Sequence, residues 1–152
     1  MMSAAYEHSL ADLRREIEVG GARPAAIDVA VSELVADGNE SLPSDLLSLL
    51  SDKVEDDEGM FSLLHAAESY NDRNYVRALL AVFPHLVSSA PRWASIVLMR
   101  VLNSSATRAE IVRQVRHAPA SVKGAVREMC ERINEVSPQF LSKTVPVTLA
   151  AS

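Results

Sequence analysis

Apolar residues return every three or four positions along nearly the whole of this chain. Tyr6, Leu10, Leu13 and Ile17 begin the series. Ile27, Val31, Leu34 and Val35 continue it, and later runs include Tyr75, Val76, Leu79, Leu80 and Phe83. This spacing lays an apolar stripe along one side of an α-helix, whereas a half-buried strand would need strict alternation. No hairpin dipeptide sits between alternating runs. The periodic stretches are cut by punctuation. Gly20-Gly21 and Gly38 supply the conformations that end helices, and Pro24 and Pro91 stand where a first-turn proline belongs. Asp56 or Asp57, and then Asn71 or Asp72, can cap the helices that follow them. Thr107-Arg108-Ala109-Glu110 has the form of a capping box and marks a further start. Pro84 is expected to end or kink a helix at Phe83. Pro119-Ala120-Ser121 opens the last long helix, which Pro138 closes.

The fold expected is therefore all-α, with about eight helices as antiparallel helical hairpins. Starts near residues 24, 57, 91 and 119 favour an irregular HEAT-like stack, with a compact bundle as the alternative. The 152 residues are about the length of one ordinary domain, so 1–152 is expected to be a single helical domain. Residues 144–152 leave room for an extended tail, because Val145-Pro146-Val147-Thr148-Leu149 is strand-like and its proline suits an edge. Leu63, Leu64, Leu79, Leu80, Trp93, Ile96 and Val126 are expected in the core. Arg100 interrupts an apolar helix and is expected to be partly buried against Glu68 or Asp72.

Composition narrows the class. Hydrophobic residues make up 48% and charged residues 23%, which excludes wholesale disorder. A single cysteine, Cys130, excludes an internal disulfide framework and fits a reducing compartment. Residues Met1 to His8 carry neither a basic cluster nor an apolar run, so no secretory signal is expected there. Apolar runs such as Ile96-Val97-Leu98-Met99 are far short of the ~20 residues of a membrane span. A cytoplasmic protein with no membrane partner is the expectation.

The chemistry-bearing residue types do not assemble into motifs. His8, His65, His85 and His117 form no close pair, and His65 with Glu68 is a single weak pairing, so no metal is expected. His65 reads instead as a partly buried helix residue. Cys130 lies on an apolar face between Met129 and Ile133 and reads as a small buried hydrophobe. There is no glycine-rich phosphate loop and no nucleophile elbow. The chain is expected to be no enzyme and to hold no cofactor. Arg108, Arg113, Arg116, Lys123, Arg127 and Arg132 spread over two helices, but a pI of about 5.3 argues against direct nucleic-acid binding.

Charge is the informative feature. The net charge of −5 conceals a division. Through Asp72 there are 16 acids and 4 bases, and from Arg73 onward 4 acids and 11 bases. The densest point is Asp52-Lys53-Val54-Glu55-Asp56-Asp57-Glu58, with five carboxylates in seven residues. An acid-rich first turn complements a helix dipole, and a surface of this kind also steers a basic partner.

From Met60 to Asn103 the order of short motifs is distinctive. Met60-Phe61-Ser62-Leu63-Leu64-His65-Ala66-Ala67-Glu68-Ser69-Tyr70 is followed by Tyr75-Val76-Arg77-Ala78-Leu79-Leu80 and Pro84-His85-Leu86. Then come Pro91-Arg92-Trp93 and Arg100-Val101-Leu102-Asn103. This stretch resembles the helical immunity proteins of bacterial polymorphic-toxin and contact-dependent growth inhibition systems. The resemblance implies a non-catalytic cytoplasmic protein that binds one cognate toxin C-terminal domain and neutralises it in a 1:1 complex. It implies a toxin that is often a basic nuclease, blocked at its active site or substrate groove. Joined to the charge pattern, it makes Glu55, Asp56, Asp57, Glu58 and Asp72 candidate toxin-binding residues, with Tyr70 and Tyr75 as aromatic anchors. The alternative is a helical-repeat adaptor or regulatory module with an unrelated partner.

Overall fold

A computed structural model describes residues 3–152 and contains nine α-helices, with no strand among those residues. They are α1 (Ala4–Glu18), α2 (Pro24–Asp37), α3 (Leu42–Ser48), α4 (Glu58–Glu68), α5 (Asp72–Ser89), α6 (Pro91–Asn103), α7 (Ser105–Val115), α8 (Ala120–Val136) and α9 (Leu141–Ala150). A short 3-10 turn, Pro138–Phe140, joins α8 to α9. The all-α expectation holds. Local chemistry explains most boundaries. Ser3 Oγ accepts from the Tyr6 amide, and Asn71 Oδ1 accepts from the Asn74 amide, so each helix start gains a partner for an orphan N–H. Gly38 takes a left-handed conformation, with φ of 73°, at the end of α2.

Each helix packs mainly on its neighbour or next neighbour in sequence. α1 lies on α2, α2 and α3 on α4, and α3 on α5. That is the pattern of stacked hairpins. The exceptions are α5 against α8 and α6 against α9, which close the C-terminal half around α5. One contiguous apolar core runs from Tyr6 to Ala151. Leu63, Leu64, Leu79, Leu80, Trp93 and Val126 are buried in it, whereas Ile96 is only partly covered.

Four local expectations are corrected. The segment 144–152 is not an extended tail but the body of α9. Thr144, Val147 and Ala151 are all buried on one face of it, and the Arg127 guanidinium donates to the Ala151 carbonyl. Pro146 is accommodated inside that helix at the loss of one backbone donor. Likewise, of the two outcomes expected at Pro84, an end to the helix is ruled out, since α5 runs on to Ser89. The capping box is not used either. α7 begins earlier, with Ser104 as its cap, and Thr107 is buried and turned toward Asp72. His65 is exposed rather than partly buried, with its ring 6.0 Å from that of Phe61.

One close approach fixes the entry to α4. A Cβ on Gly59 would stand 2.9 Å from the Ala22 carbonyl oxygen and 2.5 Å from Ile27 Cδ1. Only glycine lets the start of α4 lie this close to the start of α2.

Candidate functional site

The acidic segment links α3 to α4, and its five carboxylates divide into two groups. Asp52 caps α6: its two oxygens accept from the amides of Arg92, at 2.9 Å, and Trp93, at 3.1 Å. Asp57 is gripped by both terminal nitrogens of the Arg92 guanidinium, which itself lies 5.5 Å from the Trp93 ring centroid. This pairing holds the Asp57 carboxyl below its usual range, against a smaller opposing effect of desolvation. These two carboxylates tie the segment to α6. The other three face outward. Asp56 is exposed and accepts from the Glu58 amide at 3.0 Å, capping the first turn of α4. Glu55 and Glu58 are exposed and make no side-chain ion pair among the described residues.

The remaining candidates lie elsewhere. α4 spans 11 residues, about 16 Å at ~1.5 Å per residue, and Tyr70, Asp72 and Tyr75 follow its far end. Asp72 and Tyr75 line a cleft of about 370 Å³ together with Glu68, Arg100, Val101, Asn103, Ser104 and Thr107. Here Arg100 donates from Nε to Glu68 at 2.8 Å and from Nη2 at 2.7 Å, the ion pair expected from sequence, although its side chain keeps 41% of its surface exposed. Asp72 accepts from the Thr107 hydroxyl at 2.9 Å. The Lys143 ammonium, from α9, donates to Asn103 Oδ1 at 2.8 Å. Tyr75 is buried, and its hydroxyl has no hydrogen-bond partner within the protein. Burial, reinforced by the Glu68 charge, pushes that hydroxyl well above the ordinary tyrosine value.

Tyr70 does not share this cleft. It is half-buried and lines another, of about 400 Å³, with residues including Pro43, Asn74 and Arg77. Burial raises its hydroxyl as well. The seven candidates thus fall into three places: the acidic segment, the Asp72–Tyr75 cleft and the Tyr70 cleft. Glu68, Asn103 and Thr107 were not among the candidates. Glu68 and Arg100 had a signal in the sequence, since each puts a charge in the last turn of a helix whose middle is largely apolar. Thr107 had none, because its capping-box spacing pointed to another role.

Cys130 is buried, and burial pushes its thiol up to about 11. Among the described residues no three His, Cys, Asp or Glu side chains converge as metal ligands. No helix there is long and apolar enough to cross a membrane.

The family model described as Immunity protein 30 matches residues 13–111. The match takes in α2 through α6, and with them both the acidic segment and the Asp72–Tyr75 cleft. No curated protein and no solved structure matches significantly. The match covers more than half of the chain, so this chain belongs to the Immunity protein 30 family and has the toxin-neutralising role of an immunity protein.

Proposed function

We propose that this member of the Immunity protein 30 family neutralises a basic nuclease toxin by laying the acidic segment, centred on Glu55, Asp56 and Glu58, against the toxin's active site or substrate groove. The observation that carries the reading is the division of the cluster. Asp52 and Asp57 are spent on anchoring the segment to α6, and that leaves three carboxylates held outward on a fixed backbone. Preorganisation of this kind lowers the cost of ordering charges on binding. A groove that holds nucleic acid is lined with lysine and arginine, so carboxylates are the complementary chemistry. Asp72 and the tyrosines Tyr70 and Tyr75 extend the proposed contact beyond the segment. The protein contributes no catalysis of its own and forms a 1:1 complex in the cytoplasm, where nucleic acid is exposed to such a toxin.

The test is a titration of the cognate toxin domain's nuclease activity with this protein. Activity should fall linearly to zero and end at one equivalent. A toxin that acts on something other than nucleic acid would overturn the nuclease reading. Complete binding with full residual nuclease activity would overturn blockade of the active site or groove.

A further inference from the structure

The cleft between the end of α4 and the start of α7 holds an incomplete set of polar groups. Tyr75 is 4% exposed, lines the cleft and leaves its hydroxyl without a protein partner. Glu68 and Arg100 neutralise one another through two hydrogen bonds. Asp72 has a neutral partner, the Thr107 hydroxyl, and no ion pair among the described residues. The cleft therefore holds an exposed carboxylate without an ion pair, in the first turn of α5, and one orphan phenol oxygen, while the Lys143 ammonium is taken up by Asn103. A buried hydroxyl without a partner costs free energy that a suitable donor recovers. An ammonium or guanidinium carries several donors and one positive charge, so it answers both deficits together.

We propose that this cleft is a socket for one lysine or arginine side chain of the toxin, bound by Asp72 and Tyr75 beside the Glu68–Arg100 pair. The proposal rests on the toxin-neutralising reading and adds a second anchor about one helix length from the acidic segment. Volume permits it, since about 370 Å³ exceeds what the end of a lysine or arginine side chain fills. The Glu68–Arg100 pair also lines the cleft, its opposite charges already matched to each other. Burial keeps the Tyr75 hydroxyl protonated, and its unpartnered oxygen is free to accept from the incoming cation.

Tyr75→Phe removes only the hydroxyl and separates the socket from a structural role. Thermal unfolding and toxin affinity, by calorimetric titration, are measured for wild type, Tyr75→Phe, Asp72→Asn and a Glu55→Lys/Glu58→Lys control. The socket predicts that Tyr75→Phe leaves Tm unchanged or raised yet weakens toxin binding roughly tenfold. Asp72→Asn should weaken binding at least as much. Among toxin variants with single surface lysines or arginines changed to Ala, one should abolish the Tyr75→Phe effect. A lowered Tm with unchanged affinity would show that the hydroxyl serves the fold and would overturn the proposal. If the Glu55→Lys/Glu58→Lys control binds weakly while Tyr75→Phe binds within twofold of wild type, the socket is wrong and the acidic-segment reading stands. If neither variant alters binding, both are wrong.

Discussion

At the residue scale, Trp93 and Asp57 show how the core and the acidic segment depend on each other. Trp93 is fully buried, meets Phe61 edge-on at a centroid distance of 5.0 Å, and donates its backbone amide to Asp52. Its indole N–H has no partner, which offsets part of the gain from burial. Trp93→Ala should still cost about 3–5 kcal/mol in chemical denaturation, since the apolar loss and the cavity dominate. A loss below ~1 kcal/mol would mean the ring contributes little to the core. Asp57 makes a prediction about pH. Its folded pKa lies below the ordinary aspartate value of about 3.9 because Arg92 favours the charged form. The stability it contributes is present above that ordinary value and is lost as pH falls through the lowered folded pKa. Carbon-detected NMR titration should place its midpoint below ~3.9 in the wild type and move it upward in Arg92→Ala. An unmoved midpoint would show that the pairing does not form in solution.

At the scale of elements, glycine and proline mark where sequence and fold part company. Gly59 opens α4 against the Ala22 carbonyl. Gly→Ala in a helix is ordinarily favourable by up to ~1 kcal/mol, but overpacking costs about 1–3 kcal/mol, and the obstruction here is partly backbone. Gly59→Ala should therefore destabilise by roughly 1–2 kcal/mol net, read from urea unfolding. Nothing local to residue 59 announces this, because the constraint comes from α2. The helices themselves were legible, since Leu63, Leu64, Leu79 and Leu80 keep the 3.6-residue period and Asn71 caps as its type demands. The misread boundaries share a cause. Pro84 and Pro146 are tolerated because buried neighbours on both sides hold the helix together, a tertiary effect that local proline rules omit. Thr107 had the spacing of a cap, but Ser104 lies three residues earlier and takes that place, which leaves the Thr107 hydroxyl for Asp72. The same limit applies to the candidate site. Sequence proximity grouped Glu58 with Tyr70 and Asp72, while α4 carries them to opposite ends of a rigid rod.

At the scale of the whole molecule, the charge division in sequence becomes a division in space. α1 packs on α2, α2 and α3 pack on α4, and α3 packs on α5, while α7 and α8 pack on both α5 and α6, and α9 packs on α6, α7 and α8. The acid-rich part of the sequence, α1 to α4, thus packs largely within itself and meets the base-rich part chiefly through α3 on α5, and a charge separation of this kind helps to orient an approaching basic partner. Exposed charges of this kind act mainly on the association rate and lose their reach as salt rises. The central claim is that Glu55, Asp56 and Glu58 form a steering and docking surface for a basic toxin. It is tested most directly by stopped-flow association of the toxin domain with wild type and Glu55→Lys/Glu58→Lys across ionic strength. That variant keeps Asp52 and Asp57 and hence the anchored loop. The account predicts a wild-type rate that falls steeply between low and high salt, and a variant rate lower by about tenfold or more at low salt and nearly flat with salt. Wild-type and variant rates that coincide at every salt concentration would contradict it.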